Sequence, residues 1–382
     1  MKSRNVSIAL VTIALCAVAG TTRPPETAAA RGMLVGLFEP VQPLVAPTKT
    51  FPTLVKLRTQ IIRLNLDWNL IAKTRPVKPS DPSDRAYDWK TYDQAVINAA
   101  KNKIQVLFTI YGTPRWANGT KKGVNRAPRQ MASLRYFATA AAKRYSGTFK
   151  RADGTRLPAV RKWLAWNEPN NPLFLQPQWA RINKTRNIPV AAKVYAGMCT
   201  AIWTGVHSTR LKKEVVACGA TAPRGNNNGR SRRPSISPLA FLGALKRYGL
   251  KGSRFDVYAH HPYYNRPSES PTTRPKAKTA VTLGNIDVLI KRLTQLYGKK
   301  KLWITEYGYQ TRPPDRAFGV SWRTQARYLT KAYSVARKNP RITMMLWFLL
   351  RDEGRLGGWQ SGLFTAAGKK KPAYDAFRRL PH

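Results

Sequence analysis

Acidic residues are scarce in this chain. Asp and Glu together number 18 among 382 residues, against 67 Lys and Arg, which gives a formal net charge of +49. Such a charge favours contact with anionic surfaces, among them cell-wall polymers, membrane headgroups, nucleic acid and acidic polysaccharides. An adaptation for solubility with no single partner would give the same surplus, so the net charge alone does not select a function.

Cysteine is scarce as well. The chain has three Cys, and no cluster of Cys and His has the spacing of a zinc site. We therefore expect neither a metal ion nor a cofactor. Cys199 falls in a predicted helix and Cys218 in the strand predicted after it, so the pair either forms a disulfide in an oxidising compartment or packs as two small apolar side chains.

The apolar run at the amino terminus is short for a membrane span. Val6–Ala19 has 14 residues, whereas a spanning helix needs about 20. Lys2 and Arg4 precede the run, and small residues follow it up to Ala30, which is typical of a secretory signal peptide. We predict a signal peptide over residues 1–30 and a secreted protein, with retention at an anionic cell surface as an expectation from charge. An uncleaved membrane anchor is the alternative.

The rest of the chain has no linker, no low-complexity block and no short internal repeat. Its composition, 43% hydrophobic with 11 Trp, is sufficient to bury a large core. We therefore predict one domain over residues 31–382, and we expect a monomer.

Short apolar runs alternate with helical stretches along this domain. Eight strands are predicted, at Met33–Phe38, Ile61–Leu66, Ile104–Tyr111, Val160–Trp166, Val215–Gly219, Phe255–His260, Leu302–Glu306 and Ile342–Phe348. The helices predicted between them include Tyr92–Asn102, Ser133–Tyr145, Val190–His207, Ser237–Tyr248, Leu283–Tyr297 and Ser321–Asn339. This alternation predicts an α/β fold, a (β/α)8 TIM barrel. An open doubly wound sheet is disfavoured because no Gly-rich phosphate loop follows the first strand.

Two of the predicted strands end in a glutamate. Glu168 closes the run that begins at Trp163, and Glu306 closes the run that begins at Leu302. Other predicted strand ends carry polar or aromatic residues, namely Arg63, Asn65, Asp67, Trp68, Trp116, Asn167, His260, His261, Tyr263 and Trp347. In a (β/α)8 barrel the strand ends form the catalytic face. A pair of carboxylates on that face is what glycoside hydrolysis requires.

Asn167-Glu168-Pro169 on strand four and Glu306 on strand seven resemble the signature of the retaining (β/α)8 glycoside hydrolases of clan A, in particular the cellulase-type and xylosidase-type members. The order of the predicted strands resembles that of the family along the whole predicted mature chain, whereas similarity at the level of individual residues is confined to these motifs. It implies that Glu168 is the general acid/base and Glu306 the nucleophile. The pKa of Glu306 is then expected to be lowered by Arg63, and that of Glu168 to be raised by its surroundings.

The resemblance also implies a set of substrate-binding residues. Asn167 would hold the sugar 2-hydroxyl, Arg63 would lie beside the nucleophile, and Trp347 would form the platform under the sugar at the cleavage point. His261 and Tyr263 resemble a His-x-Tyr element, although His260 and His261 alternate in direction and only one can face the pocket. Trp68, Trp116 and Trp359 are further candidates for stacking on sugar rings.

Part of the positive charge falls in loops predicted to ring this face. Strand five, for example, is followed by Arg224, Arg230, Arg232 and Arg233. Basic runs such as Lys299–Lys301 lie at the other end of the barrel, so an acidic substrate is one interpretation among several. The sequence favours a secreted glycosidase acting on a poly- or oligosaccharide. A non-catalytic barrel that binds carbohydrate or an anionic polymer is the alternative, and a specific nucleic-acid partner is disfavoured because no nucleic-acid module is recognisable.

Overall fold

The barrel predicted from the sequence is confirmed. The computed structural model describes residues 32–119, 123–183, 187–211, 213–355 and 357–382. Its eight main strands are β1 Leu34–Phe38, β2 Ile61–Asp67, β3 Gln105–Tyr111, β4 Lys162–Ala165, β5 Val215–Thr221, β6 Val257–His260, β7 Lys301–Tyr307 and β8 Ile342–Phe348. Each strand pairs in parallel with its neighbours along the chain, and β1 pairs with β8, so the sheet closes on itself.

A helix follows every strand and covers the outside of the barrel. These helices are α1 Pro47–Lys56, α2 Lys90–Lys101, α3 Met131–Arg144, α4 Val190–His207, α5 Pro238–Arg247, α6 Ile286–Tyr297, α7 Trp322–Arg337 and α8 Pro372–Arg378. Shorter helical turns lie at Gln42–Val45, Trp68–Ile71, Arg115–Asn118, Gly252–Arg254 and Leu283–Asn285, and a two-stranded ribbon joins Ala180–Arg181 to Asn187–Ile188. The helix predicted over Leu283–Tyr297 therefore begins as a 3₁₀ turn.

Two apolar layers hold the barrel together. A small cluster that includes Ile61, Leu107, Leu164, Met344 and Leu346 takes residues from alternate positions of the strands and fills the barrel interior. A much larger cluster lies between the outer face of the strands and the helices. Because side chains alternate along each strand, the positions that continue the inward set beyond the interior cluster reach the carboxyl-terminal face.

A disulfide joins the helix layer to the barrel. Cys199 on α4 is bonded to Cys218 on β5, with their Cα atoms 6.0 Å apart. This decides between the two states that the sequence left open for the pair.

Within the described part of the chain, none of the helices combines the length and the apolar character needed to cross a bilayer. The predicted signal peptide, residues 1–30, lies outside the described residues.

Candidate active site

Polar side chains from four strand ends meet at the carboxyl-terminal face of the barrel. They are Arg63 from β2, Asn167 and Glu168 after β4, His261 and Tyr263 after β6, and Glu306 from β7. All six are buried, with Glu168 8% and Glu306 6% exposed. The structure thus brings together the two predicted catalytic residues and four of the seven predicted substrate-binding residues.

Glu306 is held by two donors, one on each carboxylate oxygen. Arg63 Nη1 donates to Oε1 at 2.8 Å, and the Tyr263 hydroxyl donates to Oε2 at 3.1 Å. Buried charges are costly unless they are paired and hydrogen-bonded, and here both conditions are met. The two donors fix the orientation of the Glu306 carboxylate at the barrel face.

Arg63 connects the whole group. Besides Glu306, its guanidinium donates to Asn167 Oδ1 at 2.6 Å, to the Thr109 hydroxyl at 2.7 Å and to the Thr305 carbonyl at 3.1 Å. The planar fork of an arginine is suited to such a divided role because its donors point in fixed directions. One side chain on β2 therefore fixes groups carried by β3, β4 and β7.

Glu168 lies in a different environment from Glu306. Its backbone has a left-handed φ of +37°, uncommon for a residue other than glycine, and its N–H donates to the Ala220 carbonyl at 3.0 Å. The side chain accepts from Asn171 Nδ2 at 2.8 Å. Burial raises the pKa of the Glu168 carboxyl to about 7, although the Asn171 hydrogen bond and the charges of Arg63 and Arg224 act in the opposite direction. The carboxyl is therefore partly protonated at neutral pH.

His261 bridges the two carboxylates. Its Nδ1 lies 3.1 Å from Glu168 Oε1 and 3.6 Å from Glu306 Oε1. Its Nε2 lies 2.9 Å from the Thr305 hydroxyl and 3.4 Å from the Arg63 guanidinium. Arg63 can only donate and the Thr305 hydroxyl is able to donate, so we assign Nε2 as the acceptor, and Nδ1 then carries the hydrogen that points to Glu168. Burial lowers the pKa of His261 to about 3, so the ring is neutral.

His260 has no part in this group. Its Nδ1 lies 2.8 Å from the Thr221 hydroxyl and its Nε2 lies 3.0 Å from the Val281 carbonyl oxygen. The choice between the two histidines, which alternation alone left open, falls on His261.

The predicted aromatic platform is corrected by the structure. Trp347 is fully buried in the layer between barrel and helices, and its indole N–H donates to the Ser361 carbonyl at 2.8 Å. The reason is alternation: Met344 and Leu346 face the barrel interior, so Phe348 takes the next inward position and Trp347 points outward.

Two further tryptophans predicted to bind sugar belong to the helix layer. Trp68 is fully buried and stacks on Phe137, with ring centroids 5.5 Å apart. Trp116 packs edge-on against Trp68 at 5.7 Å and donates its N–H to the Ala72 carbonyl at 2.8 Å. Both side chains stabilise the packing around α3, and neither is brought to the carboxylates.

A different aromatic surface adjoins the carboxylates. Phe38, Tyr263, Phe348 and Leu349 form a small apolar cluster, and the Phe38 ring also lies 4.0 Å from the Arg63 guanidinium. Trp359 packs on this cluster, 5.1 Å from Tyr263 and 5.4 Å from Phe348, and is 37% exposed. An exposed indole beside the residue that bonds Glu306 is in the right place to stack on a sugar ring.

Several of these residues carry little or no signal in the sequence. Phe38 and Phe348 end apolar strands and carry no polar group, so nothing in the sequence separates them from core residues. Asn171 follows the Asn-Glu-Pro motif by two positions, which is the only sequence signal it has. Asn65 lies at a predicted strand end, and its Oδ1 is buried without a hydrogen-bond partner among the described residues.

Glu168, His261 and Glu306 each offer a ligand atom, and these atoms lie within 4.8 Å of one another. Such a triad has the size of a cation site. However, Arg63 already donates to Glu306 Oε1 at 2.8 Å and supplies the positive charge there. The donor set therefore fits a carboxylate pair that acts on a substrate better than it fits a metal ion.

The family model that matches this chain is described as a family of unknown function, DUF5722, and the match covers residues 88–381, more than three quarters of the chain. No curated protein sequence matches.

Solved structures match over almost the whole barrel. A family 39 glycoside hydrolase from Bacteroides cellulosilyticus WH2 is 19% identical with a TM-score of 0.61, over 92% of this chain and 63% of that one. A glucosidase from Croceicoccus marinus is 15% identical with a TM-score of 0.62, over 92% of this chain and 68% of that one. A fungal β-1,4-galactanase is 12% identical with a TM-score of 0.58, over 91% of this chain and 100% of that one.

These chains confirm the resemblance to (β/α)8 glycoside hydrolases at the level of the fold. The chain spans slightly less than two thirds of the family 39 enzyme. The roles of the individual site residues remain predictions.

Proposed function

The chain belongs to DUF5722, a family of unknown function, and from the geometry of its carboxylate pair we propose that it is a retaining glycoside hydrolase. One observation carries the proposal: an oxygen of Glu168 lies within 4.8 Å of an oxygen of Glu306. Retaining enzymes place their carboxyls about 5–5.5 Å apart, whereas inverting enzymes leave about 6.5–9.5 Å for a water molecule. The short separation supports retention.

The two environments match the two roles. Glu306, held by donors from Arg63 and Tyr263, is the nucleophile that attacks the anomeric carbon. Glu168, with a pKa raised by burial to about 7, gives its proton to the glycosidic oxygen as the bond from that oxygen to the anomeric carbon breaks. The product of this step is an ester between Glu306 and the sugar, and the leaving group departs as an alcohol.

The second step reverses the proton transfer. Ionised Glu168 takes a proton from water, whose oxygen attacks the anomeric carbon, and the ester bond to Glu306 breaks. The neutral His261 ring donates to Glu168 and orients it in both steps. We assign contacts with sugar hydroxyls to Asn167, which Arg63 orients, and to Asn65, whose Oδ1 has no partner among the described residues. Stacking on a sugar ring is assigned to Trp359, which is 37% exposed.

The proposal is tested by removing the nucleophile. We expect the protein to hydrolyse at least one member of a panel of 4-nitrophenyl β-glycosides. Glu306→Ala should lower turnover by about 10³-fold or more, and added azide should partly restore it by forming a glycosyl azide of opposite anomeric configuration. Glu214→Ala is the matched control, because Glu214 is also buried but precedes β5, at the opposite end of the barrel.

Near-normal turnover in Glu306→Ala would reject the assignment. Glycan binding by the wild-type protein without turnover of any glycoside would favour the non-catalytic carbohydrate-binding barrel instead.

Secretion is part of the proposal and is supported by the sequence of the amino terminus. Lys2 and Arg4, the apolar run Val6–Ala19 and the small residues before Arg31 have the order of a cleavable signal. The disulfide between Cys199 and Cys218 suits an oxidising compartment. Mass spectrometry of the protein recovered from the culture medium should give a chain that begins near residue 31, and an intact chain held in the cells would contradict this.

A further inference from the structure

The connection from β5 to α5 is the most arginine-rich loop beside the carboxylates. We call residues Pro223–Arg233 the arginine loop. It carries Arg224, Arg230, Arg232 and Arg233, all exposed, and no acidic residue. The loop therefore presents a concentrated positive charge to solvent with no compensating carboxylate of its own.

The start of the arginine loop is firmly held. Asn170 Oδ1 accepts from the Ala222 N–H at 2.8 Å, and Asn170 Nδ2 donates to the Ile236 carbonyl at 2.9 Å, so one side chain joins the two ends of the loop. The Pro223 carbonyl accepts from the Val281 N–H at 2.9 Å. Gly225 packs so closely on the Ile236–Ser237 backbone that a Cβ would collide with it. The backbone of Arg224 is thus fixed on both sides.

Arg224 lies on the Glu168 side of the pocket. β5 neighbours β4, which carries Glu168, and is separated from β7, which carries Glu306, by β6. The Glu168 N–H donates to the carbonyl of Ala220, four residues before Arg224. The charge of Arg224 acts on Glu168 and on Tyr264, lowering the pKa of both against the larger effect of burial.

The Arg224 guanidinium has no hydrogen bond or ion pair with any residue in the described ranges. Arg63, in contrast, uses its guanidinium to hold Glu306, Asn167 and Thr109. A fixed backbone, an exposed and unengaged guanidinium and a position next to the acid/base residue are together what a binding residue for an external anion requires.

We propose that the arginine loop binds the acidic groups, carboxylate or sulfate ester, of an anionic polysaccharide, with Arg224 contacting the sugar that departs. This inference rests on the proposed function for its direction. The acid/base residue faces the glycosidic oxygen, so a cation on the Glu168 side meets the leaving group and not the sugar bound to Glu306. The remaining arginines of the loop extend the same charge away from the cleavage point.

A contact made by Arg224 itself must be distinguished from the general attraction that a protein with net charge +49 exerts on any anion. At physiological salt the Debye length is about 8 Å, so an exposed charge at the far end of the barrel has little effect on a bound anion. Arg247 provides the comparison. It is exposed, ends α5, which begins just after the arginine loop, and so lies at the opposite end of the barrel.

The experiment measures binding in a protein that cannot turn over. Glu306→Ala protein is titrated at 150 mM salt with three tetrasaccharides: one from a polyuronate, one from a sulfated galactan and one from a neutral glucan. We expect one of the two anionic probes to bind at least about tenfold more tightly than the neutral one. When Arg224→Gln is introduced into the Glu306→Ala protein, the affinity for the preferred anionic probe should fall about tenfold. When Arg247→Gln is introduced instead, this affinity should change less than twofold. The better of the two anionic probes identifies carboxylate or sulfate.

Three results would overturn the inference: tighter binding of the neutral probe, equal losses in the Arg224→Gln and Arg247→Gln proteins, or no binding of either anionic probe. Hydrolysis of neutral aryl glycosides by the wild-type protein is measured separately, as the test of the proposed function. Hydrolysis of aryl glycosides, together with equal affinity for anionic and neutral tetrasaccharides, would support the proposed function and reject the arginine loop as an anion-binding site. Arg224-dependent binding without any turnover rejects the proposed function and keeps the anion site.

Discussion

Asn171 offers a direct test of how the pKa of Glu168 is set. Its Nδ2 donates to Glu168 Oε2 at 2.8 Å, while its Oδ1 accepts from the Leu173 N–H at 3.1 Å. The first bond favours the ionised form of Glu168 and the second shapes the loop. Asn171→Asp removes the donor, keeps the acceptor for Leu173 and adds a negative charge beside Glu168.

Both consequences raise the pKa of Glu168. A hydrogen bond to a charged group contributes about 1.5–3 kcal/mol, and one pKa unit corresponds to about 1.4 kcal/mol. Loss of the donor should therefore raise the pKa from about 7 by about one unit or more. The added carboxylate acts in the same direction, since like charges disfavour ionisation.

The sign of the effect on activity follows from the role of Glu168. As the general acid it acts when protonated, so kcat/KM is retained below its pKa and falls about tenfold per pH unit above it. We expect the alkaline limb of the wild-type profile near pH 7, where burial sets the pKa of Glu168, and the limb of Asn171→Asp near pH 8 or higher.

The assay is kcat/KM for a neutral aryl glycoside across the pH range, which reports the ionisation of the free enzyme. Asn125→Asp is the matched control: it makes the same chemical change in a side chain that binds the Pro172 and Leu173 carbonyls instead of Glu168. The alkaline limb of the kcat/KM profile should shift much less in Asn125→Asp than in Asn171→Asp. An alkaline limb that stays in place, or that moves to lower pH in Asn171→Asp, would refute the assignment of Glu168 as the group that sets it.

The strand pattern predicted the barrel and the two glutamates because both depend on local sequence. Apolar runs bounded by turn residues gave every main strand, with ends within a few residues of the structure. In a parallel barrel all strands end at one face, so residues at strand ends meet regardless of the loops between them. Glu168 and Glu306, separated by more than a hundred residues, could be paired for this reason.

The side to which a strand-end residue points was harder to predict. β5 and β6 shift register between Gly219 and Thr221, and the His261 N–H then donates to the Thr221 carbonyl at 3.0 Å. Within β6, Val257 and Ala259 belong to the interior cluster, so alternation along that strand directs His261 to the pocket and His260 away from it. Which of the two alternating sets faces inward depends on the packing of the whole barrel, and the sequence of β6 alone does not tell. The error over Trp347 has the same origin, because inward and outward positions differ by one residue.

Trp359 in the last loop is among the stacking candidates predicted from the sequence, but its position relative to the carboxylates could not be predicted, for a different reason. Trp359 reaches Tyr263 and Phe348 because the segment after β8 is held by a buried lysine, Lys371, which donates to Asp352 at 2.7 Å and to the Gln360 carbonyl at 3.0 Å. A buried lysine paired with an aspartate nineteen residues away carries no local signature. The resemblance therefore points to the strand tryptophan, Trp347, as the platform, and the sequence offers the loop tryptophan, Trp359, only as a further candidate.

Further predictions test the remaining assignments. Glu168→Gln should slow glycosides with poor leaving groups far more than 4-nitrophenyl glycosides, since the latter need little protonation; equal losses in kcat/KM would count against the general acid. Cys199→Ser with Cys218→Ser should lower the free energy of unfolding by about 3 kcal/mol in denaturant titrations, as expected for a closed loop of this length, while an unchanged midpoint would mean that the bond does not form. The last prediction separates the two tryptophans. Trp359→Ala should raise KM for an oligosaccharide several-fold with little change in unfolding, because a 37% exposed indole loses a stacking face and leaves no closed cavity. Trp347→Ala removes a fully buried ring and the donor to the Ser361 carbonyl, so it should destabilise the fold by about 3–5 kcal/mol. If Trp347→Ala instead folds normally and loses only substrate affinity, the strand tryptophan is the platform after all and the outward orientation assigned to it is wrong.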